Sequence, residues 1–345
     1  MQIGCGDLFL RVLQKGSPQS KMPETPDAIK SEVMSGRTKS AGVISRGAYR
    51  FAVLTASVTV VLLMAGALVT SNDAADSVPD WPLAYGRLIP PMIGGIRFEY
   101  MHRVIAATVS ILTLILAIWI ARTEKRPLAR KLGWTALGLV IAQAILGGIR
   151  VLEGHPAITA TAHAILAQIF FCTLVGLALY LSPWWQRELP QLEDNATPTA
   201  RGITLWTTFV IFCQLVLGAA FRHGAFGITP HLVGAGVVTV MVILAGRIVK
   251  KRFGKVPELR RGVIFLHAFF GIQILLGGLA WWSIIATADY GQPTLEYVIP
   301  TVAHVLGGAL LLAVSVLLTL ACYRMIRPAI AVASESAETA HGARA

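Results

Sequence analysis

The chain has 345 residues, 55% of them apolar and only 14% charged, with a mean hydropathy of +0.65. Soluble domains run nearer about 25% charged, so an ordinary soluble fold is excluded. The net charge of +12 then reads as the Lys/Arg bias of membrane loops, since a nucleic-acid domain needs its basic groups on a wet surface. The expected class is an all-α polytopic membrane protein.

Residues 1–45 are polar, with Pro18, Pro23 and Pro26, and read as a disordered cytoplasmic tail. The apolar patch around Leu8 to Leu13 contains Arg11 and is too short for a signal h-region. Eight apolar segments follow, at 51–70, 103–121, 133–151, 157–181, 203–221, 229–246, 263–286 and 298–323. Each is near or above the roughly 20 residues that cross a bilayer as a helix, the open-ended element that satisfies its own backbone there. A linker at 186–202, with Arg187, Pro190 and Pro198, separates an expected four-helix bundle at 46–185 from a second at 203–325. Residues 326–345 read as another disordered tail.

Basic residues set the expected orientation. Arg122, Lys125, Arg126, Arg130 and Lys131 share one side with the run from Arg247 to Arg261 and with Arg187 and Arg201. Arg87, Arg97, Arg150 and Arg222 lie on the other. The richer side is cytoplasmic by the positive-inside rule, which puts both termini inside. Cys172, Cys213 and Cys322 fall in apolar segments and Cys5 in the tail, so a disulfide framework is not expected.

The sequence repeats itself. Gln143 to Gly147-Gly148 in the third segment matches Gln273 to Gly277-Gly278 in the seventh, and Ala162-His163 in the fourth matches Ala303-His304 in the eighth. His102 opens the second segment as His231 opens the sixth. Gly66 and Gly218 mark a weaker match between the first and fifth. An even number of spans between the copies makes them parallel, with a pseudo-twofold axis along the membrane normal.

His102, His163, His231 and His304 therefore fall at equivalent depth on repeat-related helices. One intramembrane histidine is commonly a hydrogen-bonded core residue. Four in this pattern point to two sites, each with two imidazoles facing each other across a haem iron. Glu99 precedes His102 by three residues, on the same helix face, and the second half has no equivalent acid. Glu99 is either a proton acceptor or charge stabiliser beside a reacting haem, or a salt-bridge partner of Arg103 or Arg97. Arg150 and Arg222 are candidates for pairing with haem propionates, or for snorkelling to the interface. Small residues near the histidines, among them Gly234, Gly236, Gly307 and Gly308, leave room for a flat macrocycle or suit close helix packing. His155, His223 and His341 are expected in solvent, and His267 on the wrong side for these sites.

These residues resemble the haem A synthases, the CtaA/COX15 family, over roughly 45–325. The motifs are Glu99-x-x-His102-Arg103, Ala162-His163, Pro230-His231 and Ala303-His304, with the loop Pro79-Asp80-Trp81-Pro82-Leu83-Ala84-Tyr85-Gly86. Many members carry two cysteines in that loop. Val78 and Ala84 stand in their places, so the chain resembles a cysteine-free branch. The resemblance implies oxidation of the C8 methyl of haem O to a formyl group, giving haem A for terminal cytochrome oxidase. It implies haem b on His231 and His304, and haem O as substrate and haem A as product on His102 and His163 with Glu99. It further implies a bacterial cytoplasmic (inner) membrane enzyme with its haem sites near the outer face. Haem O synthase, cytochrome oxidase assembly factors and a second copy of the chain are the candidate partners. The competing readings are a bis-His b-type cytochrome without substrate chemistry, and a transporter with parallel repeats.

Overall fold

A computed structural model describes residues 46–154 and 156–328. The expected tail 1–45, most of the C-terminal tail, and the positions His155 and His341 lie outside the described residues. Among the described residues, eight helices are long and apolar enough to cross a membrane. They are α1 Arg46–Ser71, α2 Ile96–Thr123, α3 Pro127–Leu152, α4 Ala157–Leu181, α5 Ala200–Arg222, α6 Thr229–Phe253, α7 Pro257–Ala286 and α8 Leu295–Met325. The polytopic all-α class expected from the sequence holds.

Local chemistry sets several of the starts. Pro127 and Pro257 occupy the first turns of α3 and α7, where a missing N–H costs nothing and the fixed φ suits a helix. Thr199 caps α5 by accepting from the Gly202 N–H at 3.1 Å. The tight α2–α3 turn is fixed by Glu124, whose carboxylate binds the Arg126 guanidinium at 2.6 Å. That contact holds the Glu124 carboxyl below its usual range and raises the Arg126 guanidinium.

Packing closes the helices into two rings. α1 contacts α2 and α4, α2 contacts α3, and α3 contacts α4; α5 contacts α6 and α8, α6 contacts α7, and α7 contacts α8. Each ring has its own apolar core, one around Val109, Leu116, Ile120 and Leu174, the other around Val242, Leu259, Leu266 and Leu312. The rings meet where α8 packs on α1 and α4, and α4 on α5. α8 is correspondingly the most enclosed helix, with 56% of its apolar window buried against 17–39% for the others. With lipid as apolar as any side chain, close packing and interhelical hydrogen bonds must hold such contacts together. Thr208 supplies two of them, to Ser315 at 2.7 Å and Thr319 at 2.8 Å.

The linker is more ordered than its composition suggests. Residues Leu192–Asp194 (β1) pair in parallel with Ile326–Pro328 (β2), three residues that the sequence assigns to the tail. Buried Asp194 organises this end of the molecule: it accepts from the Ala200 N–H at 2.6 Å and from Arg252 at 3.0 Å. A carboxylate out of water needs such partners, and these link the linker to the ends of α5 and α6.

Candidate functional site

Both rings contribute to one cavity of about 980 Å³, lined by His102, His163, His231 and His304 together. That volume is at the upper end of small-molecule sites, about 300–1,000 Å³. His267 is not part of it: its Nδ1 lies 2.8 Å from the Val263 carbonyl and its ring abuts Gly246.

Each of the four histidines is seated in the same way by the preceding helix. A Cβ built on Gly66, Gly147, Gly218 or Gly277 would lie 3.2, 3.2, 2.9 or 3.0 Å from the Cε1 of His102, His163, His231 or His304. Carbon atoms prefer about 3.5–4.0 Å, so each ring occupies space that only a glycine leaves free. One turn before each glycine, the carbonyls of Leu62, Gln143, Gln214 and Gln273 face the four rings in turn. At His102 and His163 both Nδ1 atoms are buried without a hydrogen-bond partner.

A second set of contacts acts on the histidine backbone. Gln143 Nε2 donates to the His163 carbonyl at 2.9 Å, Gln214 to that of His231 at 2.8 Å and Gln273 to that of His304 at 3.0 Å. In the second ring the same Nε2 atoms lie 3.1 Å from the ring Nδ1. Sequence reasoning noted Gln143 and Gln273 as repeat markers but assigned them no task, and it missed Gln214. The shared spacing, Gln four residues before Gly, was the available signal. Gly234 and Gly307, read from the sequence as room for a macrocycle or as close packing, lie against the Oε1 atoms of Gln214 and Gln273. They clear space for the amides.

The donor set fits a metal held between two imidazoles. The His231 and His304 ring centres are 6.2 Å apart, with planes at 87°. A first-row metal bonded to one nitrogen of each ring at about 2 Å, with about 1 Å from nitrogen to ring centre, requires roughly 6 Å. Two imidazoles at this spacing suit a metal that brings its other ligands with it, as haem iron does.

Glu99 lies at the cavity wall and is 5% exposed. Its two oxygens accept from Arg103 at 2.7 Å and from the Val78 N–H at 2.9 Å. Arg103 also donates to the carbonyls of Asp80 at 2.7 Å, Leu83 at 2.8 Å and Val78 at 3.3 Å. The pair therefore ties the start of α2 to the loop between α1 and α2. That loop puts Trp81 into the cavity wall and against Gly148, where a Cβ would come within 2.9 Å of the indole. Asp80 accepts from the Tyr85 N–H at 2.6 Å and the Gly86 N–H at 2.8 Å, and these bonds, led by Gly86, hold its carboxyl below the usual value.

Arg150, Arg222 and His223 all line the cavity. Arg150 Nε is buried without a hydrogen-bond partner. Arg222 is committed to α1, donating to Ser71 Oγ at 2.6 Å and the Ala67 carbonyl at 3.0 Å. His223 corrects the expectation of solvent exposure: it is half-buried, and burial with the neighbouring Arg150 and Arg222 charges pushes it down to about 4.

The chain is similar to known proteins over much of its length. The profile of the COX15-CtaA family, cytochrome oxidase assembly proteins, matches residues 96–230. The heme A synthase of Symbiobacterium thermophilum is 26% identical over 254 residues, 64% of this chain and 82% of that protein. That of Alkalihalophilus pseudofirmus is 32% identical over 181 residues, 50% of this chain and 59% of that protein. That of an Exiguobacterium species is 26% identical over 257 residues, covering 69% and 83%.

Proposed function

We propose that this chain is a member of the haem A synthase family that it resembles, and that it oxidises the C8 methyl group of haem O to the formyl group of haem A, a four-electron change whose electrons leave to an external acceptor. The observation that carries the reading is the paired seating of four histidines around one cavity, with an acid beside only one pair. In this reading His231 and His304 hold haem b permanently, and His102 and His163 hold the substrate. The 46–185 and 203–325 bundles are its two halves, and both termini face the cytoplasm of a bacterial cell. The haem sites then lie near the outer face, with haem O entering from the bilayer.

Haem b, when bound, supplies a one-electron redox centre next to the substrate. The residues of the chain do the remaining work. At His102 and His163 the glycine seats and the facing carbonyls favour a proton on Nδ1, which would leave Nε2 to ligate; at His231 and His304 the glutamine amides lie against Nδ1 instead. Glu99 presents a fixed negative charge to the cavity. Both of its oxygens already accept hydrogen bonds, so offsetting positive charge at the reacting methyl suits it better than proton abstraction. Trp81, seated on Gly148, keeps water from the substrate pair. Arg150, with its unpaired Nε, is the better placed arginine for a propionate. Arg222 divides its donors between α1 and the cavity.

The test is a pyridine haemochrome and extracted-haem analysis of the purified protein. Haem B together with haem O or haem A supports a synthase. Haem B alone, from cells that make haem O, would contradict it.

A further inference from the structure

The histidine seats are alike on the ring side and unlike on the backbone side. Where α3, α5 and α7 carry Gln143, Gln214 and Gln273, α1 carries Leu62, four residues before Gly66. Leucine has no amide, so the His102 carbonyl is the one of the four without a glutamine donor from the preceding helix. In place of that tie, the turn bearing His102 is fastened to the loop that follows α1. Glu99 takes the Val78 N–H, Tyr100 donates to the Leu88 carbonyl at 2.7 Å, and Arg103 donates to the carbonyls of Val78, Asp80 and Leu83. Among the described residues no loop is fastened in this way to the turn bearing His163, which is held to α3 by Gln143.

We propose that His102 is the ligand that lets go: the loop at 78–88, and not a glutamine on helix α1, holds its backbone, so lifting that loop withdraws its imidazole to admit substrate and release product while His163 stays in place. The proposal rests on reading His102 and His163 as the substrate pair. Release breaks one coordinate bond, the imidazole nitrogen keeps its lone pair, and no electron or proton need move. The same loop carries Trp81, so lifting it also opens the cavity wall above Gly148. Haem b needs no exchange, and both of its histidines have the glutamine tie.

The experiment compares His102→Ala and His163→Ala in the full-length purified protein from cells that make haem O. Haem O plus haem A per haem b is read by extraction, and spin state by electron paramagnetic resonance. The proposal expects His102→Ala to retain its substrate haem with a high-spin signature, and His163→Ala to lose it. Retention in His163→Ala with loss in His102→Ala, or equal loss in both, overturns it. No change in either variant would remove the ligand assignment itself and the proposal with it. Haem b content reports folding in each sample. Leu62→Gln is the second arm, since it supplies the missing amide. Transfer of haem O and haem A to excess apomyoglobin should slow by about two- to tenfold, the net worth of one hydrogen bond, and an unchanged rate would count against the proposal.

Discussion

Gly277→Ala tests the seating of His304, and with it the proposed haem b site, with one methyl group. The added Cβ would lie 3.0 Å from His304 Cε1 and 3.4 Å from Nδ1. Relaxing the carbon contact to about 3.5 Å or more moves the ring by about 0.5 Å or more, against a partner ring whose centre is 6.2 Å away. Overpacking of this kind costs about 1–3 kcal/mol, which is roughly a 5- to 150-fold loss of haem affinity if it falls wholly on the bound state. Gly271→Ala, on the same helix, is the control, because nothing lies within 4 Å of its added Cβ and alanine is the better helix former. The assay is haem b retained through purification, with the low-spin resonance of that centre. Gly277→Ala should lose haem b or shift its resonance, and Gly271→Ala should match the wild type. Equal behaviour of the two variants would refute the argument that glycine makes room for the ring.

Glu99→Gln keeps the shape and the acceptor for Arg103, but it loses the charge and the bond from the Val78 N–H; haem A in membranes should collapse while haem b remains, and near-normal haem A at matched protein level would remove the Glu99 charge from the reaction. With Cys172, Cys213 and Cys322 all within helices, a membrane-impermeant maleimide applied to intact cells should leave the protein unlabelled and active; outer-face labelling would contradict the orientation. The depressed Asp80 carboxyl stabilises the loop above its unfolded pKa and loses that contribution as pH falls through the lower folded value. Hydrogen exchange at Tyr85 and Gly86 should therefore accelerate only below the ordinary carboxylate range, and acceleration already at neutral pH would count against these bonds.

Hydropathy located every spanning helix because lipid demands long apolar runs, but it misplaced their ends where charges are paired or can snorkel. α2 starts at Ile96 and not at 103 because Glu99 and Arg103 satisfy each other and the loop. α6 continues to Phe253 through Lys250, Lys251 and Arg252, whose stems can cover apolar surface while their charges reach water. The histidines were legible because ionisable groups are rare within spans. Gln214 was not, since its meaning lies in a carbonyl on the next helix. Likewise Leu192–Asp194 shows no strand signal of its own and is ordered by pairing with residues far along the chain.

Conversion of haem O to haem A by this chain can be observed in cells that make haem O but lack haem A. On expression of the protein, extracted membranes should contain haem A, and parallel membranes carrying His231→Ala should lose both haem A and the low-spin haem b signature. Haem O unchanged beside fully loaded haem b would contradict the account and leave an electron-carrying cytochrome.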